Sequence, residues 1–275
     1  MGFEKFSVSM CVYGGDDPGW FRTAVDSILN QTAKPDEVVL VVDGPVPVAL
    51  DAVITGYAAD PVFRVIRLEK NVGHGQARRT GLSACTNDLV ALMDADDISA
   101  PDRFYKQLQL FAENPELTIV GGNITEFVDE PMNIVGQRQV YVTDAEIKQD
   151  MQKRCPMNQM TVMFRKAAVE AAGGYLDWYC DEDYYLWLRL RLGGAVFANI
   201  PENLVNVRVG KEMYQRRGGW KYFKSEAKLQ KWMLKNKVIS IGDYTVNVIK
   251  RLIVQVLLPN RLRGWVFQKF ARKQV

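Results

Sequence analysis

The sequence predicts an α/β protein: a mostly parallel sheet flanked by helices, with a helical extension toward the C-terminal end. Three observations carry this expectation. Short apolar runs alternate with stretches of helical spacing from Phe6 to Gly122. The runs are near-continuous in Val and Leu, as in strands buried on both faces. Polar residues gather just beyond the runs, at the strand ends where such sheets bind ligands.

The elements follow in order. "FSVSMCVYG" is a buried strand stopped by Gly14 and Gly15. "PGWFRTAVDSILNQT" sets Phe21, Ala24, Val25, Ile28 and Leu29 at helical spacing, with Pro18 near its start, where helices accept proline. "EVVLVVDG" is a second strand that closes on Asp43 and Gly44. "ALDAVITGYA" reads as a helix, "FRVIRLE" as a third strand, "GQARRTGLSAC" as a helix and "DLVALM" as a fourth strand. "PDRFYKQLQLFAEN" is a helix with Pro101 near its start, and "LTIVGG" is a fifth strand. "NITEFVDEPMNIVGQRQVYV" reads as a hairpin, and "TDAEIKQDMQKR" as a helix opened by a Thr143–Glu146 capping box. "MTVMFRKAAVEAAGG" is a strand, then a helix stopped by Gly173 and Gly174. "EDYYLWLRLRL" is expected to be an amphipathic helix and "AVFANI" a strand. No internal repeat and no linker precedes about residue 210.

Composition removes several classes. With 275 residues, 48% hydrophobic and 24% charged, the chain has ample apolar surface for a core. A net charge of +3 gives no reason to expect a nucleic-acid partner. Charge is uneven, however: Lys250 to Lys273 holds seven Lys or Arg and no acid. Cys11, Cys85, Cys155 and Cys180 form no C-x-x-C pair, and "MGFEKFSVSM" lacks the basic start and apolar core of a signal peptide. A reduced, cytoplasmic setting is therefore expected. No apolar run approaches the roughly 18 residues of a spanning helix. His74 is the only histidine, which argues against a zinc site or a Ser-His-Asp triad.

The fourth strand ends in "DADDIS". Asp94, Asp96 and Asp97 repel one another there, and burying them unpaired is costly. A hard divalent cation relieves this: Mg²⁺ is held by one or two carboxylates, with phosphate oxygens and water completing its octahedron. Asp94 and Asp96 are the candidate ligands. The competing reading is a turn in which Asp97 or Ser99 caps the helix after Pro101. Tyr13, Asp43, Asn71 to Gln76 and Asp94 to Asp97 all follow predicted strands, so four loops would converge on one edge of the sheet.

Five segments in order resemble the family 2 glycosyltransferases, which have the GT-A fold. "VSMCVYGGDDPGWFRTAVDSILNQT" is similar to the opening strand and helix, and "DEVVLVVDG" to the second strand with its nucleotide-contacting Asp. "NVGHGQARRTGL" matches N-x-G-x-x-x-A-R-x-x-G, "ALMDADDIS" the D-x-D-D element and "DEDYYLWLRL" the E-D-x-x-L-W-x-R helix. The resemblance implies inverting transfer of a sugar from a nucleoside-diphosphate donor, in first place a UDP-sugar, with Mg²⁺ or Mn²⁺. It implies that Asp43 accepts a hydrogen bond from the base, and that Tyr13, Asn71, Gly73 and Arg78 belong to the nucleotide site. Asp94 would meet the ribose, the metal or both, and Asp96 would ligate the metal. Of Asp181, Glu182 and Asp183, Asp183 would be the base that takes the acceptor's proton, and Glu182 would orient the acceptor. Acids also suit a helix start electrostatically, but that effect, about 0.3–1 kcal/mol, accounts for one acid rather than three. Arg79, Trp187 and Leu188 read as structural; Trp178 and Tyr179 stay open between sugar stacking and packing.

One departure bears on the metal. Many relatives carry a His near the end of the catalytic domain, and the comparable stretch here, "NVRVGKEMYQRRGG", has none. Either Asp96 holds the metal with phosphate and water, or Arg208, Lys211, Arg216 or Arg217 binds the diphosphate directly. The expected organisation is a catalytic domain over 1–210, with a nucleotide half to about residue 98 and an acceptor half over 99–210, then a helical extension over 211–275. "VRVGKEMYQRRGG" also resembles enzymes of bacterial capsule and exopolysaccharide assembly, which implies a lipid-linked saccharide acceptor at the inner face of the cytoplasmic membrane. The tail fits that setting. Pro259 divides it into two predicted helices, the first with Val246, Ile249, Ile253, Val256 and Leu257 on one face. The second sets Leu262, Trp265, Val266 and Phe270 among Arg261, Arg263, Lys269, Arg272 and Lys273. The alternative is packing on the catalytic domain or on a sister subunit of a homodimer. Two other classes stay open on the residues alone. A nucleotidyltransferase would release pyrophosphate rather than UDP, and a sugar-nucleotide-binding protein would show no turnover.

Overall fold

The computed structural model describes residues 2–210 and 218–259. Its first half alternates as expected: β1 (Phe6–Tyr13), α1 (Pro18–Leu29), β2 (Glu37–Asp43), α2 (Val48–Ala58), β3 (Phe63–Arg67), α3 (His74–Ala84) and β4 (Leu89–Met93). The short β5 (Ile98–Ser99) and α4 (Arg103–Glu113) lead into β6 (Ile119–Phe127), which turns back as β7 (Ile134–Arg138). Then come α5 (Asp144–Asp150), β8 (Met163–Arg165), α6 (Lys166–Ala171), α7 (Glu182–Leu192), β9 (Phe197–Arg208), α8 (Trp220–Lys235) and α9 (Ile241–Leu252), the last continued by a π turn over Ile253–Leu257.

The strands form one sheet in the order β3-β2-β1-β4-β8-β6-β9-β5, with β7 beside β6. Strands β1 to β4 are parallel, and β9 is parallel to β6. Strand β8 runs antiparallel between β4 and β6, and β5 and β7 also pair antiparallel, so the second half is mixed. Side chains alternate along each strand. Val38, Leu40 and Val42 of β2 face one apolar layer with Phe21, Val25, Ile28 and Leu50, while Val39 faces the other with Leu82, Val90 and Trp187. Leu229 and Met233 of α8 lie in that second layer, so the described C-terminal helices share the core of the sheet.

Two sequence expectations change. Helix α7 is not amphipathic: Tyr184, Leu186, Trp187, Leu188 and Leu190 are buried around it, and Tyr185 meets Trp178 and Trp232 on a further side. It is packed between the sheet and α8, so it has no broad face for water. Neither Asp97 nor Ser99 caps α4. The Phe104 amide donates to Gln31 Oε1, while Asp97 Oδ1 accepts from Arg208 N at 2.9 Å and Ser99 is in β5. The Thr143–Glu146 capping box is present. Among the described residues no helix is long and apolar enough to cross a membrane. The second predicted tail helix and Lys211, Arg216 and Arg217 lie outside the described residues.

Candidate active site

The strand ends at the β1–β4 edge line one cleft of about 600 Å³, formed by Cys11 to Trp20, Asp43, Asn71 to Ala77 and Asp94 to Asp96. In "GGDDPG" the two acids divide the work. Asp17 caps α1, accepting from Gly19 N and Trp20 N, and Asp16 faces the cleft while accepting from Tyr13 N at 2.9 Å. Burial, with the Asp94 charge adding, pushes Asp16 up to about 6. Tyr13 and Asn71 are exposed at the rim. The Asp43 carboxylate accepts from Val72 N at 2.7 Å and Gly73 N at 3.1 Å, which fixes the loop ahead of α3. A carboxylate has about four acceptor positions, so this leaves Asp43 able to accept from a ligand. Two glycines are required here: Gly44 has φ +87° with Asn71 N only 2.5 Å from where a Cβ would stand, and a Cβ on Gly81 would meet Ser9 Oγ at 2.6 Å. The second approach seats α3 directly on β1.

The three acids after β4 have different fates. Burial works upward on Asp94, but the Arg78 guanidinium at 2.6 Å outweighs it and holds the carboxyl low. Asp96 lacks such a partner, and burial with the charges of Asp94 and Asp16 pushes it up to about 6. Asp97 is buried and driven well above the carboxylate range by burial and by Asp94 and Asp96. Arg208 ties this loop to β9, with its guanidinium between the rings of Trp20 (4.3 Å) and Phe127 (4.6 Å) and its Nε donating to Asp96 O. Among the described residues no group of three His, Cys, Asp or Glu side chains is placed to hold a metal. Asp96 and Asp94 nonetheless fit a hard cation that takes its other ligands from phosphate and water, because Asp96 carries repulsion that a cation would remove.

Arg78 also reaches sideways. Its Nε donates to His74 Nε2 at 3.2 Å, and His74 Nδ1 lies 3.3 Å from Glu182 Oε1. With Nε2 accepting, the imidazole proton sits on Nδ1 and is donated to Glu182. Asp94, Arg78, His74 and Glu182 thus form a continuous polar chain. Beyond it lies a second cleft of about 490 Å³, lined by Asp181 to Tyr184, Arg138, Arg154, Cys155 and the inner side of α9. Burial works upward on Glu182, but the hydrogen bond from His74 brings it below its ordinary value. Asp183 is pushed up to about 6 by burial and by Glu182. Asp181, 4% exposed, is pushed up to about 9 by burial and by Glu226, so it is neutral at pH 7. The three adjacent acids are therefore spread apart in affinity for the proton, with Asp181 neutral and Glu182 ionised at pH 7 and Asp183 titrating between them, which is how one site keeps a carboxylate available as a base near neutral pH.

A sequence profile described as "Glycosyl transferase family 2" matches residues 7–172. The chain belongs to this family. An uncharacterized glycosyltransferase of Haemophilus influenzae is 39% identical over 98% of this chain and 100% of that protein. The amylovoran biosynthesis glycosyltransferase AmsE of Erwinia amylovora is 36% identical over 96% of this chain and 98% of its own length. A third relative, from Escherichia coli, is the UDP-Gal:alpha-D-GlcNAc-diphosphoundecaprenol beta-1,3-galactosyltransferase, 36% identical over 98% of this chain and 97% of its own. The fold matches S. aureus TarS 1-349 in complex with UDP-GlcNAc at TM-score 0.66, with 15% identity over 96% of this chain and 76% of that one. It also matches mannosyltransferase PcManGT from Pyrobaculum calidifontis with GDP-Man and Mn²⁺ at TM-score 0.64, 14% identical over 95% of this chain and 72% of the other.

Within this family member, the residues expected from sequence fall into two groups. Tyr13, Asp43, Asn71, Gly73, Asp94 and Asp96 line the first cleft, and Glu182 and Asp183 line the second. Arg78, expected in the nucleotide site, is instead buried behind the first cleft, where it donates to Asp94 and His74. Arg79 is exposed, and Trp178 is a packing residue that donates to Ser225 O. Sequence reasoning missed Asp16, for which the paired acids in "GGDD" were an available signal. It also missed Arg138 and Cys155, whose positions beside Asp183 carry no local pattern. The Cys155 thiol, held protonated by burial and by the Asp183 charge, lies 3.8 Å from Asp183 Oδ2.

Proposed function

We propose that this chain is an inverting glycosyltransferase that moves a sugar from a UDP-sugar onto a lipid-linked saccharide in bacterial surface polysaccharide biosynthesis, at the inner face of the cytoplasmic membrane. The observation that carries the reading is the pair of clefts sharing one polar wall. A donor seated by Asp43, Tyr13, Asn71 and Gly73 presents its diphosphate toward Asp94 and Asp96. An acceptor hydroxyl in the second cleft gives its proton to Asp183 as its oxygen bonds to the anomeric carbon, while the bond from that carbon to the diphosphate oxygen breaks on the opposite face. Glu182, ionised and held by His74, orients the acceptor. Asp96 and Asp94 would hold Mg²⁺ or Mn²⁺, which offsets charge developing on the departing diphosphate. The donor cleft draws only on residues up to Asp96 and the acceptor cleft on residues from Ile124 onward, which supports halves divided near residue 98. The names of the E. coli and Erwinia relatives support the acceptor class and the pathway.

The test is a thermal-shift series with UDP-, GDP- and dTDP-sugars, with and without Mn²⁺, since a ligand of the folded state raises Tm by mass action. UDP-sugars should give the largest shift, Mn²⁺ should enlarge it, and Asp96→Ala should remove the Mn²⁺ increment. Equal shifts from all three nucleotides would defeat the UDP assignment. An unchanged Mn²⁺ increment in the variant would defeat the metal assignment.

A further inference from the structure

Helix α9 is built inside out. Its inner side is largely polar, with Tyr244 alone packed against the second apolar layer: Asn247 Nδ2 donates to Gln152 O and Gln230 Oε1, Arg251 pairs with Glu226 at 2.8 Å and donates to Lys153 O, and Gln255 donates to Glu226. Its outer side is apolar: Ile241, Val246, Ile249, Ile253 and Leu257 are between 45% and 68% exposed. A surface helix in a soluble domain has the opposite polarity, with its apolar stripe toward the core. A continuous apolar stripe left outward marks a surface that something else covers.

Charge selects the occupant. From residue 218 to 259 the chain has Lys221, Lys224, Lys228, Lys231, Lys235, Lys237, Lys250 and Arg251 against Glu226 and Asp243, eight cations less two anions, a net of +6. Lys224, Lys228, Lys231 and Lys235 are exposed along α8, which packs against α9, and Trp220 is exposed at the start of α8. An apolar stripe flanked by the exposed Lys250, on a segment of net charge +6, suits the headgroup region of an anionic bilayer. A second copy would bring two such positive surfaces together, which opposes association. A stable dimer also buries about 800 Å² per partner, more than one narrow stripe supplies.

We propose that the outer face of α9, with the Ile253–Leu257 turn, is a docking surface for an anionic lipid bilayer, and that it fixes the acceptor cleft at the membrane. The second part rests on the proposed lipid-linked acceptor and follows from one juxtaposition. Lys250, Arg251, Val254 and Gln255 line the cleft that holds Asp183, while Ile249 and Ile253 project from the same segment to the outside. Docking the outer face presents the cleft to a saccharide that rises from the bilayer surface.

Vesicle flotation of the full chain tests this without any substrate, so its failure is separable from a failure of the glycosyl-transfer reading. Wild type should float with phosphatidylethanolamine–phosphatidylglycerol vesicles at low salt, less with added salt, and little with pure phosphatidylcholine. The double substitution Ile249→Asp and Ile253→Asp should lower partitioning at least about tenfold while the UDP-induced thermal shift is retained. Lys228→Gln with Lys231→Gln should weaken binding to the anionic vesicles alone. Flotation of the Ile double variant equal to wild type overturns the proposal, as does absence of wild-type flotation at low salt. A wild-type dimer in light scattering that the same variant dissociates assigns the face to a second copy and overturns it too.

Discussion

Replacing Asp183 by Asn isolates the proton acceptor. The half-buried carboxyl accepts from Tyr184 N at 2.6 Å through Oδ1, a bond the Asn carbonyl oxygen keeps. The substitution also removes one negative charge beside Glu182, so it relieves repulsion rather than adding it. The carboxyl is raised from 3.8 to about 6, chiefly by burial. A raised carboxylate means the folded state binds the proton more tightly than the unfolded chain, so this group's contribution to stability falls as pH rises from about 4 to 6. Asp183→Asn should therefore have a Tm equal to or above wild type at pH 8, with an unchanged UDP shift. Turnover is another matter. A positioned general base contributes about 10²–10⁴-fold, or ~2.7–5.4 kcal/mol of barrier at about 1.36 kcal/mol per tenfold. Steady-state UDP release with a saturating saccharide acceptor measures this loss. Wild-type kcat/KM should rise with pH through an apparent pKa near 6, reported for Asp183 and Glu182 jointly. A loss below tenfold in the variant, or a flat wild-type profile from pH 5 to 7, refutes Asp183 as the base.

Three further outcomes are expected. Arg78→Met leaves Asp94 without its 2.6 Å partner; because Asp94 still reaches water, the cost should lie near the low end for a broken buried pair, ~3 kcal/mol, seen as a Tm about 6 °C lower, and a drop below about 2 °C would show the pair to be unimportant. Asp181→Asn replaces an acid pushed up to about 9, and so neutral at pH 7; Tm at pH 7 should hold and the fall of wild-type stability with rising pH between about 4 and 9 should flatten in denaturant titrations, and a large loss at pH 7 would mean that the ionised form is required. Asp43→Ala should weaken UDP binding in calorimetry by about tenfold, with Asp96→Ala as the comparison that retains the base contact, and unchanged affinity would remove Asp43 from the nucleotide site.

The first half of the fold was readable because its signals are local. Val38 to Val42 need no knowledge of partners to read as a buried strand, and Gly44 marks its end. Strand direction is not local: nothing in "MFR" states that β8 will run against β4. The strand expected at "AVFANI" is longer in the structure, running past Pro201 and Glu202. In the sheet Ile200 pairs with Gly122 and Asn203 with Asn123, so those two residues bulge out of the ladder and the strand resumes to Arg208. Proline is tolerated at such bulges. The site followed the same rule. The donor-cleft residues sit directly after predicted strands and were named from sequence, whereas Asp16 was passed over and the role of His74 as a bridge between Arg78 and Glu182 depends on how α3 and α7 meet.

The polar seat of α9 has a consequence for local opening. Asn247 and Gln255, 7% and 4% exposed, are the buried side chains of this helix and its π turn. Releasing it frees the partly buried Tyr244 and exchanges protein hydrogen bonds for bonds to water, a net change of about 0.5–1.5 kcal/mol for each bond, whereas releasing α8 would strip the fully buried Leu229 and Met233 from the apolar layer. The two neighbours therefore belong to different tiers of protection against amide exchange, with α9 opening first and alone. Because Lys250, Arg251 and Gln255 line the second cleft, such an opening widens it while the cleft at the β1–β4 strand ends keeps its shape, so the two clefts differ in how far they can yield without unfolding of the sheet.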